Sequence, residues 1–123
     1  MDLDWLEELL SDTRASVMEL LTLPMEDVDA LILQVRDRRR SIYEGAKPLT
    51  DLALADALSE ATVDLLQRTA AREDHRRLAA VAARYFASDP GGDLASPYGF
   101  DDDVEVFNAI AVRLAPELVL TDR

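Results

Sequence analysis

The chain has 123 residues, of which 49% are hydrophobic, and carries a formal net charge of −12 at pH 7. This length and apolar content predict one domain, residues 1–123, while the absence of cysteine excludes disulfides, thiolate catalysis and zinc–thiolate sites. The negative charge disfavours nucleic-acid binding, and short apolar runs with an acidic N-terminus argue against a membrane span and a secretion signal. We therefore expect a soluble, cytoplasmic protein that binds neither nucleic acid nor membrane.

The first half of the chain predicts three helices. Leucines and Val17 recur at three- and four-residue steps across residues 4–22, and Asp4 and Glu7 have the spacing of a capping box. Pro24 ends this helix and suits the first turn of the next, which covers residues 25–44 and stops at Gly45. A third helix starts after Thr50 and runs to about residue 69.

The second half of the chain predicts two more helices. The fourth covers residues 73–88, and no glycine or proline separates it from the third, so their continuity stays open. Prolines and glycines make residues 89–100 an irregular loop. The fifth helix opens at Asp101, with capping-box spacing between Asp102 and Glu105, and Pro116 ends it; residues 118–120 form an apolar tail expected to pack on the bundle. No segment alternates with period two, so we predict an all-α fold, a compact bundle of about five helices with no sheet.

Four arginines crowd the second half of the second helix: Arg36, Arg38, Arg39 and Arg40. Arg39 lies eleven residues after Val28, close to three helical turns, so it falls along the apolar stripe. An arginine there must be paired, must extend past the core to solvent, or must face an interface. We favour pairing with acids of the first helix or with residues 101–103. The alternative is a positive patch that binds a carboxylate-rich or phosphate-bearing partner.

Three acids share one face of the third helix at four-residue spacing, Asp56, Glu60 and Asp64, with no lysine between them. A solvated face that keeps the protein soluble is the favoured interpretation. The alternative is a docking face for a basic partner.

Residues 96–100 are apolar for a surface loop. Two interpretations have equal weight: a connector that packs on the bundle, and a recognition loop that carries Tyr98.

Two features suggest metal binding or catalysis but have simpler structural explanations. Asp101–Asp103 lack the ligand spacing of a calcium-binding loop, and acids at a helix start favour its positive end. His75 is the chain's one histidine and falls at the edge of an apolar stripe, so we expect a partly buried structural residue. Gly-rich phosphate loops, nucleophile elbows and Glu-x-x-His pairs are absent from the sequence, and we assign no catalytic residue, metal or cofactor.

Residues 85–114 resemble the core of YkvA-like domains, a bacterial family of unknown function. The matching positions are Tyr85, Phe86, Asp93, Leu94, Pro97, Gly99, Phe100, Asp101 and Asp102. The family's typical Asp-Leu-Ile-Pro-Asp stands here as Asp-Leu-Ala-Ser-Pro, and the connecting segment is shorter. The resemblance implies a helical domain and no particular activity.

These observations favour a non-catalytic, acidic protein-interaction module, such as an adaptor, a regulatory subunit or an inhibitor of the immunity type. The partner is another protein, for which the net charge favours a basic surface, and self-association stays open. The expected partner-binding residues are Arg36, Arg39, Arg40, Asp56, Glu60, Asp64 and Tyr98. A tight complex also needs a buried aromatic or arginine centre, for which Trp5, Tyr43 and Tyr98 are candidates. The alternative is a carboxylate–metal enzyme or metal-binding protein around Asp93 and Asp101–Asp103.

Overall fold

A computed structural model describes residues 4–88 and 94–120, and this part of the chain is helical with no strand. Its five α-helices are α1 (Ser11–Leu21), α2 (Val28–Glu44), α3 (Leu52–Arg68), α4 (Glu73–Ser88) and α5 (Asp101–Leu114). One 3-10 turn precedes them (Asp4–Glu8) and another follows them (Pro116–Leu118). The predicted all-α bundle of about five helices is confirmed.

Helix α4 lies at the centre of the bundle and packs against all four other α-helices. Every residue from 78 to 86 is buried, and four of them are alanines whose small side chains let neighbouring helices approach closely. Helices α2 and α3 also pack against each other, while α1 and α5 contact α4 from their own positions around it. The outward faces of α2 and α3 therefore lie side by side.

The predicted first helix is wrong in its continuity. Residues 4–8 form a 3-10 turn, and the backbone is extended at Leu10 (φ −60°, ψ 151°) before α1 begins at Ser11. The Arg14 side chain replaces the missing helical hydrogen bonds, because its Nε donates to the Leu6 carbonyl at 2.9 Å and its Nη2 to the Leu9 carbonyl at 3.1 Å. The break turns Trp5 fully into the core. The capping box predicted at Asp4 does not start an α-helix.

The start of α2 differs from the prediction, whereas its end does not. Helix α2 begins at Val28, because Pro24 lies in the linker after α1 and not in the first turn of α2. Gly45 ends α2 as predicted, and its N–H donates to the Ser41 carbonyl at 3.0 Å. A Cβ at Gly45 would lie 3.2 Å from the Leu94 Cδ1 atom, so the glycine permits a close approach of the loop before α5.

Helices α3 and α4 are separate, although neither glycine nor proline divides them. Thr69 ends α3, and its buried hydroxyl donates to the Leu65 carbonyl at 2.8 Å. Helix α5 begins at Asp101 with Phe100 in the cap position, so the predicted cap by Asp102 is wrong. The apolar tail packs on the bundle as expected, held by two hydrogen bonds between the Asn108 side-chain amide and the Leu120 backbone.

A buried tyrosine on α4 predicts loss of stability at alkaline pH. Burial raises the pKa of Tyr85 to about 12, and carboxylates at the start of α5 add to the rise. The phenol of the unfolded chain ionises near pH 10, so its stabilising contribution is complete below pH 10 and is lost between pH 10 and pH 12. We expect the free energy of unfolding to fall by on the order of 2 kcal/mol across this range. Urea titrations of wild type and Tyr85→Phe check this, and an equal alkaline loss in the variant would contradict it.

Candidate functional site

The predicted basic and acidic surfaces form one groove between α2 and α3. Arg36 and Arg39 from α2 line it opposite Glu60 and Asp64 from α3, and its volume is about 270 Å³. The other lining residues are Ser59, Val63 and Gln67, which follow each other at four-residue spacing along α3. A second depression beside it adds Arg40 and Tyr43 to Arg36 and Arg39. We call this region the α2–α3 groove.

Arg39, which lines the groove, forms an ion pair that joins α2 to α3. Its Nε donates to Oδ1 of Asp56 at 2.8 Å, and its side chain is 47% exposed. The arginine therefore extends past the core and pairs with α3, and not with acids of the first helix or residues 101–103. That favoured pairing is wrong for Arg39. Its actual partner belongs to the acidic stripe that the sequence placed on a separate surface.

Tyr43 completes an ordered cluster with this ion pair. Its hydroxyl donates to Oδ2 of Asp56 at 2.7 Å, and the Arg39 guanidinium carbon lies 5.3 Å from its ring centroid, within cation–π range. The Tyr43 hydrogen bond, helped by Arg39, lowers the pKa of Asp56, while the same bond raises the pKa of Tyr43. A lowered carboxyl pKa keeps Asp56 ionised while the pH falls through the usual aspartate range, so the cluster separates only at a pH below that range.

The remaining predicted residues differ in whether a neighbouring side chain of opposite charge neutralises them. Asp64 pairs with Arg68 at 3.0 Å, and Arg68 also contacts Glu117 beyond α5. Arg40 lies 3.6 Å from Asp37, and both side chains are mostly exposed, so this pair contributes little. Within residues 4–88 and 94–120, Arg36 and Glu60 form no ion pair or hydrogen bond between side chains. They are the uncompensated charges of the groove, one of each sign.

Ser59 lies in the groove lining and is 3% exposed. Its hydroxyl oxygen is buried and has no hydrogen-bond partner in the described part of the chain. A buried hydroxyl without a partner destabilises a fold, so we expect Ser59→Ala to raise the free energy of unfolding by about 1 kcal/mol. Urea unfolding checks this against Ser41→Ala on the exposed side of α2, which gains helix propensity alone. Destabilisation by Ser59→Ala would mean that the hydroxyl is bonded in solution.

Tyr98 does not join the groove. It lies in the loop before α5 and is 68% exposed, whereas Phe100 in the same loop is buried in the core. The carbonyl of Leu94 accepts a hydrogen bond from the Thr50 hydroxyl, which ties this loop to the segment before α3. The loop thus has a packed base and one projecting aromatic ring. Of the three aromatic candidates, Trp5 is buried, while Tyr43 and Tyr98 are exposed.

The residues considered for metal chemistry do not converge where the structure describes them. Within the described ranges, no group of three or more histidines, aspartates or glutamates could hold a metal ion. Asp93, which the metal hypothesis needs, lies outside those ranges. Asp103 is buried at the start of α5, Asp101 is exposed, and His75 is half-buried on α4.

No helix within the described residues is both long and apolar enough to cross a bilayer.

Sequence reasoning missed Ser59 and Arg84, two of the buried polar residues. Ser59 belongs to a groove that only the pairing of α2 with α3 creates, although its four-residue spacing to Val63 and Gln67 marks it as their neighbour. Arg84 lies within the apolar stripe of α4 and is 7% exposed. Its guanidinium contacts Glu26 at 3.3 Å and the Pro24 carbonyl, in the linker between α1 and α2. A charge three residues after Val81, which places both on the same side of the helix, was the available signal.

None of the family models, curated proteins and solved structures with which the chain was compared matches it. The resemblance of residues 85–114 to YkvA-like domains stays a prediction. The groove is therefore interpreted from its own geometry, which offers guanidinium donors on one wall and carboxylate acceptors on the other.

Proposed function

We propose that this chain is a non-catalytic protein-interaction module of the adaptor, regulatory or inhibitor type, and that its partner docks on the α2–α3 groove. One observation carries the proposal: Arg36 and Glu60, uncompensated and of opposite sign, line the same groove beside an ordered Arg39–Tyr43–Asp56 cluster. Arginine and tyrosine are the residue types that most often dominate binding energy at protein interfaces. Their mutual contacts hold them in place before binding, which lowers the entropy cost of association.

The overall charge supports a partner with a largely basic surface. A chain of net charge −12 attracts such a surface over distances of about 10 Å at moderate salt. The groove then fixes the orientation, because its two walls differ in sign. The cysteine-free sequence is compatible with action in the reducing cytoplasm, which we propose as the site of function.

Charge reversal at the uncompensated residues tests this function. We expect Arg36→Glu or Glu60→Lys to reduce recovery of a stoichiometric partner from native host lysate by about tenfold, and wild-type recovery to fall at high salt. Neither residue pairs with another described side chain, so both variants should fold normally, which circular dichroism checks.

The matched controls reverse charges away from the groove. Arg72→Glu lies at the turn between α3 and α4, and Glu19→Lys lies on the exposed side of α1. We expect both controls to recover the partner as wild type does. Equal recovery by all four variants would show that the partner binds elsewhere. A loss shared by Glu60→Lys and Glu19→Lys, with none in either Arg→Glu variant, would show that net charge alone holds the partner.

A further inference from the structure

We infer that the α2–α3 groove selects a bipolar protein segment, in which a carboxylate side chain binds Arg36 and Ser59 while a neighbouring lysine or arginine binds Glu60. This inference rests on the proposed function and names the chemistry of the partner. In the free protein, the groove contains charged and polar side chains that have no partner among the described residues. Asp56 neutralises Arg39, and Arg68 neutralises Asp64. These four side chains therefore need no charged group from a ligand.

Two charged side chains and one buried hydroxyl among the remaining lining residues define the complementary ligand. Arg36 offers a planar fork of N–H donors that matches a carboxylate, and Glu60 offers a carboxylate that accepts from an ammonium or guanidinium. The Ser59 hydroxyl is more than nine-tenths buried in the groove lining and lacks a hydrogen-bond partner within the described residues. The hydroxyl can donate to a carboxylate, in a charge-assisted hydrogen bond stronger than a neutral one, and we place Ser59 at the anionic end of the ligand.

The two walls also discriminate against simpler partners. A purely basic segment would place a cation against Arg36, and a purely acidic segment would place an anion against Glu60 on a chain of net charge −12. Like charges facing each other across an interface suppress wrong partners. A basic partner protein therefore needs an acidic side chain within its docking segment, next to a basic one.

The test uses short blocked peptides and needs no knowledge of the natural partner. The probes are N-acetyl-Glu-Ala-Lys-amide and N-acetyl-Lys-Ala-Glu-amide, together with versions in which glutamine replaces the glutamate or the lysine. Binding is followed by NMR chemical shifts of the backbone amides of α2 and α3. We expect one bipolar peptide to bind about threefold or more tightly than either of its singly charged versions, with shifts centred on the groove.

Variants of the protein show which residue binds the glutamate and which binds the lysine of the probe peptide. Arg36→Gln should remove the preference for glutamate over glutamine and keep the preference for lysine, while Glu60→Gln should do the reverse. Ser59→Ala should weaken binding of glutamate-containing probes without loss of folding, and Arg72→Gln should change nothing. A singly charged peptide that binds as tightly as the bipolar ones, or the absence of binding by all probes, would overturn the inference.

The peptide test and the partner test fail separately. Bipolar peptides that bind the groove, combined with a partner that ignores Arg36→Glu and Glu60→Lys, would remove the proposed function and leave the chemistry of the site. A partner that depends on both residues, combined with no peptide preference, would remove only the bipolar inference.

Discussion

Replacing Trp5 with alanine should lower the free energy of unfolding by about 3–5 kcal/mol, among the largest effects of any single truncation in this chain. Trp5 is fully buried in the core, and the 3-10 turn that carries it packs against α5. Truncation leaves a cavity that the short turn is too constrained by Arg14 to fill. Since small domains have about 5–15 kcal/mol of stability, the variant should be close to unfolding at room temperature. Urea denaturation followed by circular dichroism measures the change.

The control for this prediction is an exposed neighbour. Leu10 is 66% exposed, so Leu10→Ala should change the free energy of unfolding by less than about 0.5 kcal/mol. Trp5→Phe should cost much less than Trp5→Ala, because the indole N–H is buried with no hydrogen-bond partner among the described residues. A loss below 1 kcal/mol in Trp5→Ala would mean that the turn and its tryptophan are not docked in solution.

Replacing Arg84 with alanine should lower the free energy of unfolding by about 2–3 kcal/mol. Arg84 joins the central helix to the linker before α2, through Glu26 and the Pro24 carbonyl. Loss of the guanidinium removes a charge-assisted hydrogen bond to the backbone and leaves a space beside α4. The effect stays below that of a fully buried pair because the Glu26 side chain is 41% exposed and can be solvated by water. Urea denaturation measures the loss, and hydrogen exchange of the linker amides should accelerate.

Arg77→Ala is the matched control on the same helix. Arg77 is half-buried, but its ion-pair partner Glu73 is 73% exposed, so we expect a change within about 0.5 kcal/mol. Arg84→Lys keeps the charge but not the planar fork and should fall between wild type and Arg84→Ala. If Arg84→Ala and Arg77→Ala have equal effects, the contact between α4 and the linker does not stabilise the fold.

The fold was largely predictable because its helices carry local signals. Residues 73–88 form α4 with the predicted bounds, since acids start it and a dense apolar stripe runs its length. The first helix was not predictable from periodicity. Its leucines keep helical spacing through residue 10, and the break depends on Arg14 folding back onto carbonyls of the preceding turn. When a side chain of the following helix donates hydrogen bonds to the carbonyls at a helix end, the hydrophobic pattern of the sequence does not change.

The site was predictable in its residues and not in its geometry. Spacing on each helix grouped Arg36, Arg39 and Arg40 on one and Asp56, Glu60 and Asp64 on the other. Nothing in the sequence shows that α2 and α3 turn these faces toward each other, because helix packing depends on the whole core. The pairing of Arg39 with Asp56, which leaves Arg36 and Glu60 uncompensated, follows only from that packing.

Site-specific photo-crosslinking tests the central claim, that a protein partner covers the α2–α3 groove. A photoreactive phenylalanine analogue replaces Gln67 in the groove in one variant, and Ala15 on the exposed side of α1 in another. After irradiation in the native host, we expect the Gln67 variant to give one discrete crosslinked protein that disappears when Arg36→Glu is added, and the Ala15 variant to give none. The same crosslink from both positions, or a Gln67 crosslink that survives Arg36→Glu, would contradict the claim.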